Sequence, residues 1–263
     1  MALYDPVNGV YRKVSKMYEP VGGVYRKVKA AYDPVGGVYR KYFSGGIPVS
    51  ELAVGESVWL NVNGVQTEFL VVHQGNPYNG RYDASCDGTW LLTKDIYKTG
   101  EWNSSSTADY DSSTVHKYLN DTFLKMLDAT VQKSIKQVKI PYVDGGGSSG
   151  KVKTLGDGLS TNVFLLSAIE AGFSTSNYTL HLDGTCLKYF TTSDATRVAY
   201  LNGTATTWWM RSPSKTNATY AFFAQENGSG GTQVCTRTRG YRPAFILDSN
   251  TQFDNSTGIN IIA

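Results

Sequence analysis

The chain has 263 residues, 41% of them hydrophobic and 18% charged, with a net charge of +3. So small an excess of positive charge is weak ground for a nucleic-acid partner, and no apolar run approaches the length of a membrane span. Low charge beside 27 Gly and 18 Tyr suits a β- and loop-rich fold.

Three near-identical units open the chain with a period of 14 residues: YDPVNGVYRKVSKM, YEPVGGVYRKVKAA and YDPVGGVYRKYFSG, starting at Tyr4, Tyr18 and Tyr32. Each reads as a Pro/Gly turn (Pro6 and Gly9, Pro20 and Gly23, Pro34 and Gly37) followed by a Val-Tyr-Arg-Lys strand. Eight Lys and Arg against three acids give the repeats +5, leaving −2 for the rest of the chain. Units this short need a partner surface, so residues 1–45 are expected to dock or space the main domain. Alternation of Tyr with Arg and Lys also fits a nucleic-acid arm, the less favoured reading. MALYDPVNGVYRK has no apolar core behind a basic head, so no secretory signal is expected.

Ser44-Gly45-Gly46 reads as a hinge, and 46–263 as the main domain. Val58–Val62 and Thr67–Val72 flank Asn63-Gly64, a strong hairpin signal. Trp90-Leu91-Leu92 reads as a strand. Ser112-Ser113 caps a helix whose buried face is Val115, Tyr118, Leu119, Phe123, Met126 and Leu127. A short helix over Ala129–Ile135, a strand at Val138–Ile140 and a flexible Gly-rich excursion from Asp144 to Lys151 follow. Asn162–Leu166 reads as a buried strand, Ser167–Ala171 as a helical stretch, and Arg197–Leu201 as a strand or helix end. Ala244–Leu247 is expected to be a central strand and Asn260–Ile262 an edge strand. Helix plus strands place the domain in the α+β class.

Chemistry is sparse. His73, His116 and His181 stand apart, and the acid pairs Asp109/Asp111 and Glu51/Glu56 have no apolar setting to raise a pKa. Cys86, Cys186 and Cys235 form no CxxC or Cys/His cluster, which argues against disulfide and metal frameworks. No GxSxG, phosphate loop or HExxH occurs. Catalysis, a metal and a cofactor are therefore not expected. Thr207–Leu247 is different. Two rigid clamps, one of Trp208, Trp209, Arg211 and Pro213 and the other of Gly240, Arg242, Pro243 and Phe245, enclose residues rich in Ser, Thr, Asn, Gly and aromatics, a paratope-like mixture. Strand alternation puts Phe222 opposite Phe223 and makes Phe222 the exposed one; it also lets one of Trp208 and Trp209 be core. Arg211 and Arg242, each close to a Pro, are expected to pin loop carbonyls.

WWMRSP, Asn227-Gly228 and GYRPAFIL resemble the WWLRSP…NG…GVRPAF signature of a domain common in bacterial, prophage and gut-phage proteins. DGLSTNVFLLSAIEAGF (157–173) and LKYFTTSDATRVAYLNG (187–203) are similar to its upstream motifs, so the resemblance covers roughly 50–263. The repeats resemble tandem repeats preceding such domains in phage structural proteins. The family looks like a distant relative of the C-type-lectin and formylglycine-generating-enzyme folds, and some members resemble variable proteins of diversity-generating retroelements. Carried over, the resemblance implies a C-type-lectin-like domain with a fixed frame of Trp208, Trp209, Arg211, Ser212, Pro213, Asn227, Gly228, Gly240, Arg242, Pro243 and Phe245. The displayed, ligand-binding positions would be Thr206, Met210, Ser214, Lys215, Thr216, Asn217, Thr219, Tyr220, Phe222, Gln225, Glu226, Thr232, Gln233, Cys235, Thr236, Arg237, Thr238, Arg239 and Tyr241. Tyr241 departs from the family's Val. Glu-Pro-Asn and Trp-Asn-Asp, the calcium-lectin motifs, are missing.

The implied function is that of a non-enzymatic phage receptor-binding or tail-tip protein with a hypervariable surface. Its partners would be a bacterial surface protein or glycan, and other virion proteins through the repeats, with a homo-oligomer open. It would sit in the virion, or in host cytoplasm before assembly. A tail cell-wall glycan-active enzyme and a purely structural virion protein are the alternatives.

Overall fold

The computed structural model describes residues 47–190, 193–254 and 262, together with the backbones of 4–7, 10–13, 18–21, 24–27, 30–35 and 38–44. Each repeat is a two-stranded antiparallel hairpin: Tyr4–Val7 with Val10–Lys13, Tyr18–Val21 with Val24–Lys27, and Ala30–Val35 with Val38–Ser44. The Val-Tyr-Arg-Lys strands are where the sequence puts them, but the prolines lie in the partner strand rather than in a turn. Val7 faces Val10 and Pro6 faces Tyr11. Pairs alternate between hydrogen-bonded and non-hydrogen-bonded, so with Val7 and Val10 closing the hairpin, Pro6 falls where no N–H is needed. The turn residues between these strands, the Gly45-Gly46 hinge, and Asn260 and Ile261 lie outside the described residues.

From Ile47 onward the chain builds two five-stranded sheets. The ten strands are β1 (Ser57–Val62), β2 (Val65–Gln74), β3 (Thr89–Thr93), β4 (Lys98–Glu101), β5 (Val163–Phe164), β6 (Trp208–Pro213), β7 (Tyr220–Ala224), β8 (Gly230–Val234), β9 (Thr238–Tyr241) and β10 (Ala244–Leu247). The first sheet has the order β5-β10-β3-β2-β1 and is antiparallel throughout. The second has the order β4-β9-β6-β7-β8, with β6 and β9 parallel at Trp208 and Gly240. β9 runs through Arg242-Pro243 into β10, so the second clamp is the seam between the sheets.

The hairpin of β1 and β2 turns on Asn63 and Gly64, with φ of 51° and 80°, as the Asn-Gly signal requires. β1 alternates half-buried and buried residues because one face meets the core, whereas β3 and β10 are buried along their whole length. β10 lies between β5 and β3, an interior strand. Ile47–Pro48 pairs with Gln252–Phe253, so the two ends of the domain close on each other.

Ser113 caps the helix, its side chain accepting from the His116 N–H at 3.2 Å. The helix starts as Thr114–Tyr118, widens to a π turn over Leu119–Phe123 and ends as Leu124–Met126. Val115, Leu119, Phe123 and Leu127 are buried as their spacing predicts, while Tyr118 and Met126 are only half-buried. In the widened turn Asn120 accepts from the N–H groups of Asn162 and Val163 and donates to the Val163 carbonyl, tying the helix to β5. Ala129–Ser134 is helical, and Val138–Ile140 pairs with Leu159–Thr161.

Two local expectations change. Asp144–Lys151 is the tip of a hairpin, Tyr142–Asp144 against Lys151–Lys153, with Gly147 buried. Ser167–Ala171 is a turn rather than a helix. There Ser167 Oγ takes the Glu170 N–H at 3.0 Å, a side-chain alternative to helical bonding. Arg197–Leu201 is as expected, Arg197 ending a 3₁₀ turn, Asp194–Arg197, and a two-residue strand following at Tyr200–Leu201.

Candidate functional site

The first clamp is buried outright. Trp208 and Trp209 project to opposite faces of the second sheet, and both are fully buried because both faces are covered. Trp208 donates from Nε1 to the Arg197 carbonyl at 2.8 Å, and the Arg242 guanidinium lies 4.5 Å over its ring. Trp209 donates to the Gly100 carbonyl at 3.2 Å, with Phe223 edge-on at 6.0 Å.

Arg211 leaves the sheet at a register shift between Trp209 and Pro213 and enters the core. It meets Glu170 in a two-pronged ion pair, Nη1 to Oε2 and Nη2 to Oε1, both 2.5 Å, with neither side chain exposed. It also donates to the carbonyls of Pro141, Leu165 and Asp183. Tyr82 donates to Glu170 Oε1 at 2.8 Å, and the Ser167 N–H to Oε2 at 2.9 Å. Burial alone would lower the Arg211 pKa, but Glu170 and Asp183 raise it overall, so the guanidinium stays charged. Asp183 accepts from Ser212 Oγ at 2.7 Å while its Oδ1 finds no partner. Burial pushes the Asp183 carboxyl up to about 6, against the opposing pull of Arg211. In the second clamp Arg242 donates to the carbonyls of Thr93 and Lys94, and burial lowers its pKa to about 10.

On this frame sits a group of loops joined by backbone hydrogen bonds. The turn 214–219 receives the N–H of Gly147 on the Ser214 carbonyl (2.9 Å), of Ala108 on the Ala218 carbonyl (2.9 Å), and of Cys235 on the Thr219 carbonyl (3.0 Å). The Asn103 N–H bonds the Cys235 carbonyl at 3.1 Å. Segments 103–108, 145–150, 214–219 and 235–237 are therefore one neighbourhood. Its exposed residues are Lys215, Thr216, Asn217, Ala218, Arg237, Ser104–Thr107, Ser148 and Ser149. Thr238, Thr232 and Glu226 are also exposed, and Thr206, Thr219, Tyr220, Gln225, Gln233, Thr236 and Arg239 are half-buried.

Five of the sequence-predicted display positions are interior. Phe222 is 2% exposed, packed edge-on against Phe173 and Tyr178 at 4.9 and 5.5 Å, because segment 172–178 covers the face that alternation assigned to solvent. Tyr241 is buried against Tyr118 and donates to the Glu101 carbonyl. Met210 is fully buried, its carbonyl accepting from Trp102 Nε1 at 2.8 Å. Ser214 is turned inward, its Oγ accepting from the N–H groups of Thr216 and Asn217 at 3.3 Å. Cys235 is buried, which pushes its thiol up to about 12.

Sequence reasoning missed two groups. Glu170, Asp183 and Tyr82 complete the buried charge cluster; the signal was a lone Glu in the apolar run VFLLSAIEAGF, where a buried carboxylate calls for a partner such as Arg211. Ser104–Thr107 and Ser148-Ser149 join the display neighbourhood through folding alone. A separate cleft of about 630 Å³, with Trp59, Glu68, Lys94 and Tyr118 among its walls, is lined by none of the display positions. Among the described residues no group of three His, Cys, Asp or Glu side chains is placed to hold a metal ion. No helix among them is long and apolar enough to cross a membrane.

Comparison with known proteins adds one match, to the family described as Domain of unknown function (DUF6273), over residues 87–249. No curated protein and no solved structure matches. The matched span runs from β3 to the end of β10 and holds the Arg211–Glu170 pair, both clamps and all the display loops. It covers more than half of the chain, and the protein therefore belongs to the DUF6273 family.

Proposed function

We propose that this is a non-enzymatic ligand-binding domain of a phage receptor-binding or tail-tip protein, with a C-type-lectin-like fold and a surface open to retroelement-driven diversification. The observation that carries the reading is the division of labour within Thr207–Tyr241. The alternating clamp residues are buried and bonded to the core, while Lys215–Ala218 and Arg237–Thr238 stand exposed. Exposed Thr, Asn and Ser beside Arg237 and the half-buried Tyr220 and Arg239 are the groups adaptable recognition surfaces use. Pairing of the domain's two ends, Ile47–Pro48 with Gln252–Phe253, is in keeping with a C-type-lectin-like closure.

The test is binding of the whole protein to bacterial cells, wild type against Lys215→Ala/Thr216→Ala/Asn217→Ala, with the melting temperature of each. Loss of binding at unchanged melting temperature supports the reading. Binding that is indifferent to the triple change overturns it.

A further inference from the structure

Among the described residues the display surface carries three cations outside any ion pair, Lys215, Arg237 and Arg239, and of these Arg239 is the one seated on aromatic rings. Its Cζ lies 3.4 Å from the Phe223 ring centroid and 5.3 Å from that of Trp209, so the guanidinium roofs two aromatic faces. Gly231 makes room below, since a Cβ there would come within 2.8 Å of the Phe223 ring. Nη1 donates to Thr207 Oγ1 at 2.8 Å, and Nε is buried with no acceptor. The other Nη hydrogens find no protein acceptor among the described residues, and no carboxylate there lies within ion-pair distance. The nearby charges that act on the group are Glu226, which favours its charged form, and Arg237, which opposes it; burial opposes it more than either. A guanidinium fixed against two rings and by Thr207, with an open Nη edge, is pre-organised for a two-pronged carboxylate contact.

We propose that Arg239 is the anchor for an acidic side chain, Asp or Glu, on a protein partner; this rests on the display reading above. A protein is favoured over an acidic glycan because Arg239 already covers the aromatic faces on which a sugar ring would stack. Exposed and half-buried groups on the neighbouring segments are Thr206, Gln225, Gln233, Thr236, Arg237 and Thr238, together with the exposed acids Glu226 and Glu101, neither within ion-pair distance of Arg239.

The test titrates the full chain with hexaglutamate, hexaglutamine and tri-galacturonate, following the Arg239 Nε–H signal by NMR, that signal being identified by its loss in Arg239→Lys. Hexaglutamate is expected to shift it saturably and the other two probes to leave it in place. Affinity for hexaglutamate is expected to fall about tenfold in Arg239→Lys, which keeps the charge and loses the fork. Arg239→Met, which keeps the apolar cover of Phe223, should melt like wild type and bind no hexaglutamate. Equal hexaglutamate affinity in wild type and Arg239→Lys overturns the proposal, and so does a shift caused by tri-galacturonate alone. If hexaglutamate leaves Arg239 unmoved while the 215–217 triple variant loses cell binding, the carboxylate anchor falls and the display reading stands. If neither responds, both fall.

Discussion

Arg211 and Glu170 form a full charge pair with no exposed surface; Tyr82 and the Ser167 N–H fill the remaining acceptor sites of the carboxylate, and the three remaining guanidinium hydrogens meet backbone carbonyls. Such a pair offers little net gain over an apolar equivalent, but removing one partner strands the other. Glu170→Ala is therefore expected to destabilise the domain by about 3–5 kcal/mol in chemical denaturation. Phe222→Ala should cost a comparable amount, about 3–5 kcal/mol, since Phe222 is packed by Phe173 and Tyr178 rather than displayed. Asp183 gives a pH prediction. Its folded pKa, about 6, lies above the ordinary carboxylate value, so the native state holds the proton more tightly and stability declines as pH rises from about 4 to 6. Burial lowers His73 to about 4, which works the other way, adding stability as pH rises through the same window. Asp183→Asn removes only the falling contribution. The variant's melting temperature relative to wild type should rise between pH 4 and 6 and then level off, and a difference independent of pH would contradict the assignment.

At the scale of elements, the β7–β8 connection turns on Asn227-Gly228. Gly228 has φ of 83°, and a Cβ there would overlap the Asp194 carbonyl. Gly228→Ala is expected to lower stability by more than the roughly 1 kcal/mol of an unhindered Gly-to-Ala change at positive φ, measurable as a shifted denaturation midpoint. Strands β1, β2, β3 and β10 were legible in the sequence, because an Asn-Gly turn, the alternation of β1 and the short apolar runs of β3 and β10 are local signals. The site was legible only in part. The clamps announce themselves as WWMRSP and GYRPAFIL, but Phe222 reads as surface because alternation cannot foresee a covering layer, and Tyr241 because it departs from the Val of the resembling family. The Phe222 face is closed by segment 172–178, about fifty residues earlier in the chain, and the Tyr241 face by Tyr118. The Arg211–Glu170 pairing spans 41 residues, a tertiary fact with no local pattern. Pro6, Pro20 and Pro34 mislead for the opposite reason, since a two-stranded hairpin offers prolines positions that a central strand does not.

At the scale of the molecule, the two ends of the main domain pair through Ile47–Pro48 and Gln252–Phe253. A chain starting at Ile47 is expected to keep the thermal transition of the full protein; loss of cooperative unfolding would place the repeats inside the folding unit. In the proposed arrangement the hairpin repeats supply attachment, and several copies held together would multiply weak contacts made by each display surface. Such a role depends on one property, a surface free to change on a frame that is not. Deep sequencing of this locus across a phage population tests it most directly. The prediction is substitution concentrated at Lys215, Thr216, Asn217, Thr236, Arg237 and Thr238, with Met210, Ser214, Phe222 and the buried clamp residues unchanged. Substitutions spread evenly over buried and exposed positions of Thr206–Tyr241 would contradict it.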